Sequence, residues 1–388
     1  MITGNAMGGG MLALPLATAQ AGFVISAVFL IASWAVMLAG GLLILEVNLW
    51  FPPNSHLVSM ARATLGKTGE IITWLCYLLL LYSLLAAYIA GGSDFLQSLL
   101  QKANWHFSLK STAVLFVAIF GAIIYKGIYS VDKFNRILMG GKLLIYVLLI
   151  LLILPFLSSK QWLQGHLYYL PSGLTIMIIS FGFAAIIPSL RSYFHSNIGQ
   201  LRTIIIFGSL LPLICYLLWI AVIMGVIPID GHFGLIQIAH AKQPTSQLIN
   251  RVSSLLNNEL ITGLTWGFTS ICLITSFLGV GLSLQDFLID GLGLNKTEKN
   301  KNAAAILTFF PSLIVVLFFP AVFMTALNYA GIWCASLLAL LPALMAWSGR
   351  YRQQLRFSYR VAGGKILLSL VVLAAAIVIV HAIIIDFS

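Results

Sequence analysis

Three consecutive glycines, Gly8, Gly9 and Gly10, followed by Pro15, interrupt the first apolar run of this 388-residue chain. Each glycine costs roughly 1 kcal/mol relative to alanine inside a helix. Together they strip side chains from one spot, so that backbone N–H and C=O groups there can face a ligand. A second interruption lies in Ile179-Ser180-Phe181-Gly182-Phe183-Ala184-Ala185-Ile186-Ile187-Pro188. Pro188 brings no N–H and leaves the carbonyl one turn earlier without its helical partner. The N-terminus of a half-helix presents unpaired N–H groups to an anion, and opened carbonyls accept from a cation. A zwitterionic amino acid matches both ends. The plainer reading, a close-packing glycine face and a simple kink, suits either interruption alone. Paired interruptions at corresponding places in two halves point instead to a transporter binding site.

Few charges fall inside apolar runs, so each one is informative. Lys142 follows Gly140-Gly141 and precedes Leu143-Leu144-Ile145-Tyr146. It either snorkels to the surface or points into the bundle, where it could exchange a proton in each cycle. Glu46 and Asp94 lie near helix ends, and Asp286 and Asp290 stand one turn apart with lysines and arginines in the neighbouring loop. Tyr82, Tyr88, Phe181 and Phe183 could line an aromatic wall or simply pack. Histidines 56, 106, 166, 195, 232 and 240 fall in or beside loops, with His381 alone in the last run. The four cysteines are isolated from one another, so neither a metal cluster nor an enzyme active site is expected, and no cofactor.

The elements that must position these residues follow from composition. The chain is 60% hydrophobic and 8% charged, with a mean hydropathy of +1.02. Apolar runs of about 20 residues, each long enough to cross a ~30 Å hydrocarbon core, recur throughout. Ten-residue alternating segments of the barrel kind are missing, so the expectation is an all-α membrane protein. Eleven spans are read at 1–21, 24–50, 70–98, 111–129, 137–157, 172–192, 203–228, 262–290, 303–323, 326–348 and 365–386. An amphipathic helix over 57–65, capped by Asn54 or Ser55, and short helices within 229–261 fill the longer connections.

With the N-terminus inside, sixteen of the 21 lysines and arginines fall in inner loops and five in outer ones. The positive-inside rule therefore predicts an inner N-terminus and an outer C-terminus. The net charge of +11 is spread over many loops and forms no basic arm, which argues against nucleic acid as a partner. A passive channel would want a repeated filter-like loop, and none is present.

Several motifs resemble the aromatic amino acid permeases, the family of tyrosine- and tryptophan-specific permeases. They are Gly8 to Ala17, Leu43-Ile-Leu-Glu46-Val47, Ala86-Ala-Tyr88-Ile-Ala-Gly91, Ser180-Phe-Gly-Phe183 with Pro188-Ser189, Thr275 to Val280, and Tyr329-Ala-Gly331. The likeness covers essentially the whole chain and is closest to the tyrosine-specific branch. It implies the leucine-transporter fold: a single transport unit over 1–388, with repeats of five helices at about 1–157 and about 172–348 and an extra helix at about 365–386. It also implies a monomer in a bacterial cytoplasmic (inner) membrane that imports an aromatic amino acid, tyrosine first, by proton symport. The alternatives are a sodium-coupled or uncoupled permease or exchanger for tryptophan or another neutral amino acid. Lys142 matches a span-five lysine that takes the place of a sodium ion in sodium-independent relatives. Thr275 and Ser276 match hydroxyls that hold sodium in sodium-coupled ones. Where the family pattern has a histidine and a small residue, this chain has Ala184 and Ala185, which leaves the side-chain preference open. Only seven residues precede Gly8, so a longer inner half-helix is expected ahead of the break.

These readings place the substrate carboxylate on the N–H groups of Gly8, Gly9 and Gly10, beside Met11. The ammonium falls on carbonyls near Gly4, Asn5 and Phe181, and Gly182 also belongs to the substrate site. The side chain packs towards Tyr88, Phe183 and Ala184, and Lys142 serves as the proton-coupling residue.

Overall fold

A computed structural model describes residues 6–53, 55–126, 128–158, 162, 165, 173–194, 197–292, 298–355 and 359–387. For 128–130, 134, 298–301 and 385–387 it describes the backbone alone. Among the described residues there is no strand. In chain order the helices are α1 Gly9–Thr18, α2 Gly22–Leu49, α3 Leu57–Lys102, α4 Leu109–Tyr125, α5 Ile128–Ile153, α6 Leu174–Ser180, α7 Ile187–Tyr193 and α8 Ile198–Val226. They continue as α9 Leu235–Ala239, α10 Pro244–Leu256, α11 Glu259–Gly291, α12 Glu298–Phe318, α13 Phe323–Ala335, α14 Leu341–Trp347 and α15 Gly364–Phe387.

Among the described residues, eight helical stretches are long and apolar enough to cross a bilayer. The first, Gly9–Leu49, breaks at Gly22, whose φ of 75° no side chain accepts easily, and so separates α1 from α2. Two shorter apolar helices, Leu109–Tyr125 and Asn302–Phe318, coincide with the fourth and ninth expected spans. Gly66 (φ 76°) does for α3 what Gly22 does upstream, dividing the amphipathic stretch from Leu57 from the long span behind it. The cap of that stretch is His56, whose N–H donates to Ser59 Oγ at 3.0 Å, and not Ser55. Helices α9 and α10 fill the longest connection, as their alternating pattern predicts.

Burial sorts the helices. The broken pair α6–α7 is 72% buried across its span, whereas α15 is 22% buried and turns Ile366, Leu370, Leu373, Ile377 and Val380 outward. A stretch apolar on every side and buried on most of them sits at the centre of a bundle, while one with an exposed apolar face borders lipid. Helices α1, α2, α6 and α8 pack on one another, and α3, α4, α5, α11 and α12 form a second group. Small residues let the helices approach. A methyl on Gly331 of α13 would overlap the Thr175 carbonyl of α6, and one on Gly40 of α2 the Leu338 carbonyl.

Candidate functional site

Both interruptions are real breaks, and they lie side by side. Gly8 is extended (φ −136°, ψ −152°) ahead of α1. The second break is a 3₁₀ run, Gly182–Ile186, between α6 and α7, which carries Pro188 in its first turn. A cavity of about 780 Å³ runs from the buried Ala6, Gly10, Ser180 and Thr275 and the half-buried Ser276 to Tyr193, which is 67% exposed. That volume is in the range of small-molecule sites. Tyr77, Leu80, Leu84 and Tyr88 of α3 form one wall, and Ile179, Gly182, Ala185 and Ile186 another.

Lys142 does not snorkel. It is fully buried, and its Nζ donates to the Met7 carbonyl at the first break and to Thr275 Oγ1 of α11 at 3.5 Å. The cation thus joins α5, the unwound backbone and α11, where opened carbonyls most need a donor. Gly9 N–H donates to Ser276 Oγ at 3.0 Å. The hydroxyl of Ser276 in turn hydrogen-bonds the Tyr88 phenol.

The glycines are explained by what touches them. A Cβ on Gly9 would lie 2.5 Å from Tyr88 Cε1, and one on Gly8 would overlap Ser276 Oγ. At Gly10 it would meet Ser180 Oγ at 3.2 Å, a milder conflict. Of the residues expected to hold substrate, Gly10, Tyr88 and Gly182 line the cavity. Gly8 and Gly9 lie behind Ser276 and the Tyr88 ring, and Met11 is packed in the core. Gly4 and Asn5 lie outside the described residues. The aromatic wall differs from expectation. Phe181 sits edge-on to Tyr216 with ring centres 5.3 Å apart. Phe183 and Ala184 turn towards Gly41 of α2. Tyr82 donates to the Leu307 carbonyl at 2.7 Å. The 3₁₀ winding rotates this stretch, so that Ala185 rather than Ala184 faces the cavity.

Three further charged residues hold elements together. Glu46 accepts twice from Arg350, at 2.7 and 2.6 Å, and from Val361 N at 2.7 Å, all but buried. Asp94 is buried, and accepts from Ser246 N (3.1 Å) and Ser246 Oγ (2.5 Å) in the first turn of α10. Arg191, on α7, donates to the Asn48 carbonyl, to Asn48 Oδ1 at 3.1 Å and to the Phe51 carbonyl at 2.9 Å.

One residue escaped the sequence reading. Tyr216 of α8 is fully buried, with its hydroxyl 2.6 Å from the Ala6 carbonyl and 2.9 Å from the Ser180 carbonyl. Its sole sequence signal is a phenol in mid-span.

The tryptophan/tyrosine permease family model matches residues 1–382. The chain belongs to that family. Among curated relatives, "Tyrosine-specific transport system 2" of Haemophilus influenzae is 32% identical, covering 97% of this chain and 93% of the relative. "Tyrosine-specific transport system 1" of the same organism is 33% identical, with 97% and 94% covered. Its "Tryptophan-specific transport protein" is 31% identical, with 96% and 91% covered. As members of this family are multi-pass permeases, the cavity between the two broken helices is the place to seek the substrate.

Proposed function

We propose that this permease imports an aromatic amino acid, tyrosine first, together with a proton across the bacterial cytoplasmic membrane. The observation that carries the coupling is the buried Lys142 ammonium on the Met7 carbonyl, within reach of Thr275. A charge at this depth is costly unless it is paired or serves transport, and here its partners are neutral. Losing its proton would remove the charge from these hydrogen bonds and loosen the first break from α5, and regaining it would restore the link. Proton occupancy and the shape of the substrate site are then linked equilibria.

The substrate's carboxylate meets the N–H groups at the start of α1. Its ammonium meets the carbonyls at the ends of the breaks, and its ring lies between Tyr77, Tyr88 and Ile179. By the positive-inside rule the cavity mouth, beside Asn135, Ser189 and Tyr193, faces the cytoplasm. The opposite end is closed by α9 and α10, pinned through Asp94. Rocking of α1, α2, α6, α7 and α8 against α3, α4, α5, α11 and α12 alternates access, with the two breaks as first helices of inverted five-helix repeats.

The test is uptake of labelled tyrosine and tryptophan into vesicles with an imposed pH gradient. Accumulation that follows the gradient and collapses with an uncoupler is expected in wild type. Lys142→Ala is expected to keep counterflow exchange while losing accumulation. Sodium-dependent accumulation, or unchanged proton-driven accumulation by Lys142→Ala, refutes the coupling.

A further inference from the structure

Away from the transport cavity, Glu46 and Arg350 meet beside the chain that leads into α15. Glu46 lies in the last turn of α2, and Arg350 in the π-helical turn Ser348–Arg352 that follows α14. Their side chains are 1% and 2% exposed. The carboxylate is saturated by Arg350 Nε, Arg350 Nη2 and Val361 N. The guanidinium is not, because its Nη1 is shut away from solvent without a well-formed hydrogen bond. Arg350 also leans on the Tyr351 hydroxyl, but that oxygen already accepts from Arg360 Nη2 at 3.1 Å. Lys365 Nζ lies 5.2 Å from the centre of the same ring, and the Arg360 guanidinium 5.7 Å. Arg202 of α8 stands 5.4 Å from the Tyr359 ring. Among the described residues, Glu46 is the only acid paired with any of these four cations.

Aromatic faces hold cations only weakly, and a buried donor left unmet is costly. Basic loops at helix ends are ordinary in membrane proteins. Here the charge is instead set around a cavity of about 470 Å³, lined by Glu46, Trp50, Arg350, Gln354, Tyr359 and Arg360. Glu46 cancels Arg350, so the unbalanced charge is that of Arg360, with Lys365 and Arg202 close by. A phosphate group answers it, since its several acceptor oxygens match guanidinium forks. The surroundings indicate the source of that phosphate. Helix α15 begins at Gly364, one residue before Lys365, and turns Ile366 (74% exposed), Leu370 and Leu373 outward as a face for acyl chains. Basic pockets between spanning helices recognise anionic headgroups in this way.

We propose that this cavity binds the phosphate headgroup of an anionic membrane phospholipid, with Arg350 and Arg360 in its wall and Lys365 beside them. Bound there, the lipid ties the end of α2 to the connection that leads into α15 and stabilises the bundle.

The test titrates the full chain, purified in neutral detergent, with phosphatidylglycerol, phosphatidylcholine or inorganic phosphate, and follows the Tm. Phosphatidylglycerol raises the Tm to a plateau, as a ligand of the folded state must. Phosphatidylcholine, whose headgroup has no net charge, does not. In the double variant Arg360→Gln/Lys365→Gln, which alters two exposed side chains, the half-saturating concentration rises about ten- to a hundredfold. Lys126→Gln removes one exposed charge at the end of α4 and shifts it less than about twofold. An equal shift in Lys126→Gln means that surface charge alone recruits the lipid, and overturns the proposal. So does an unshifted double variant, or a response to phosphatidylcholine that matches phosphatidylglycerol. A plateau reached with inorganic phosphate at the same concentrations overturns the lipid as its source. Should the double variant not fold, Arg202→Gln, which leaves the Tyr351 cluster whole, is expected to shift the titration about two- to tenfold. No shift there overturns the proposal as well.

Discussion

The two broken helices solve the same problem with different means. The first break exposes its backbone and lets side chains from elsewhere complete it. Lys142 takes the Met7 carbonyl, Tyr216 the Ala6 carbonyl, and Ser276 the Gly9 N–H. The second break is wound as a 3₁₀ turn and is fixed from its downstream side by Pro188 and by Arg191, which grips Asn48 and Phe51 at the end of α2. The first is therefore a site whose backbone is available for exchange between partners, and the second a wall with an anchored base. A backbone group held by a titratable or hydroxyl side chain can be handed to a ligand. One held by helix geometry cannot.

The sharpest way to break this comparison is at Gly9. Leucine there would drive its Cβ within 2.5 Å of the Tyr88 ring and separate the N–H from Ser276. Tyrosine uptake by Gly9→Leu should fall below detection while the protein still inserts, as judged by its amount in washed membranes. Normal uptake would show that the first break is not the exchangeable one.

The anchored base of the second break gives the next effect. Arg191→Met removes three donated hydrogen bonds from a buried cation and leaves Asn48 Oδ1 and the Phe51 carbonyl without that donor. A cost of about 3 kcal/mol is expected, read as a lowered Tm in detergent. Affinity for substrate should stay within about threefold, because Arg191 lies beyond the cavity lining. A large affinity change with an unchanged Tm would reverse the roles assigned to the two breaks.

Much of the fold was legible because apolar length and glycine placement are local signals. Gly8 to Gly10, Gly182 and Pro188 marked the breaks, and the alternation after residue 229 marked α9 and α10. Rotation about a helix axis was less legible. Phe183 and Ala184 look like substrate contacts in a string of letters, yet the 3₁₀ winding turns them onto Gly41 and brings Ala185 to the cavity. Lys142 left two readings open until its burial chose between them. Tyr216 was illegible for a plainer reason. Its partners are carbonyls, which every residue has, and no residue type reports which of them a fold will leave without a helical donor.

The smallest effect is the one that best separates steric from backbone explanations of the glycines. Gly10 sits in the same triplet as Gly9 and lines the cavity, but its missing Cβ would meet Ser180 Oγ at 3.2 Å, an oxygen that already donates to the Ile176 carbonyl at 2.7 Å. A methyl group asks that hydroxyl to yield by a few tenths of an ångström, at the expense of part of one neutral hydrogen bond. Gly10→Ala should therefore retain uptake with KM raised about two- to tenfold. If glycine were needed at every position of the triplet for backbone freedom alone, Gly10→Ala would be as dead as Gly9→Leu. Since α1 is already helical at Gly10, alanine fits its backbone, and the difference between the two variants measures how close Tyr88 and Ser276 must come to the first break.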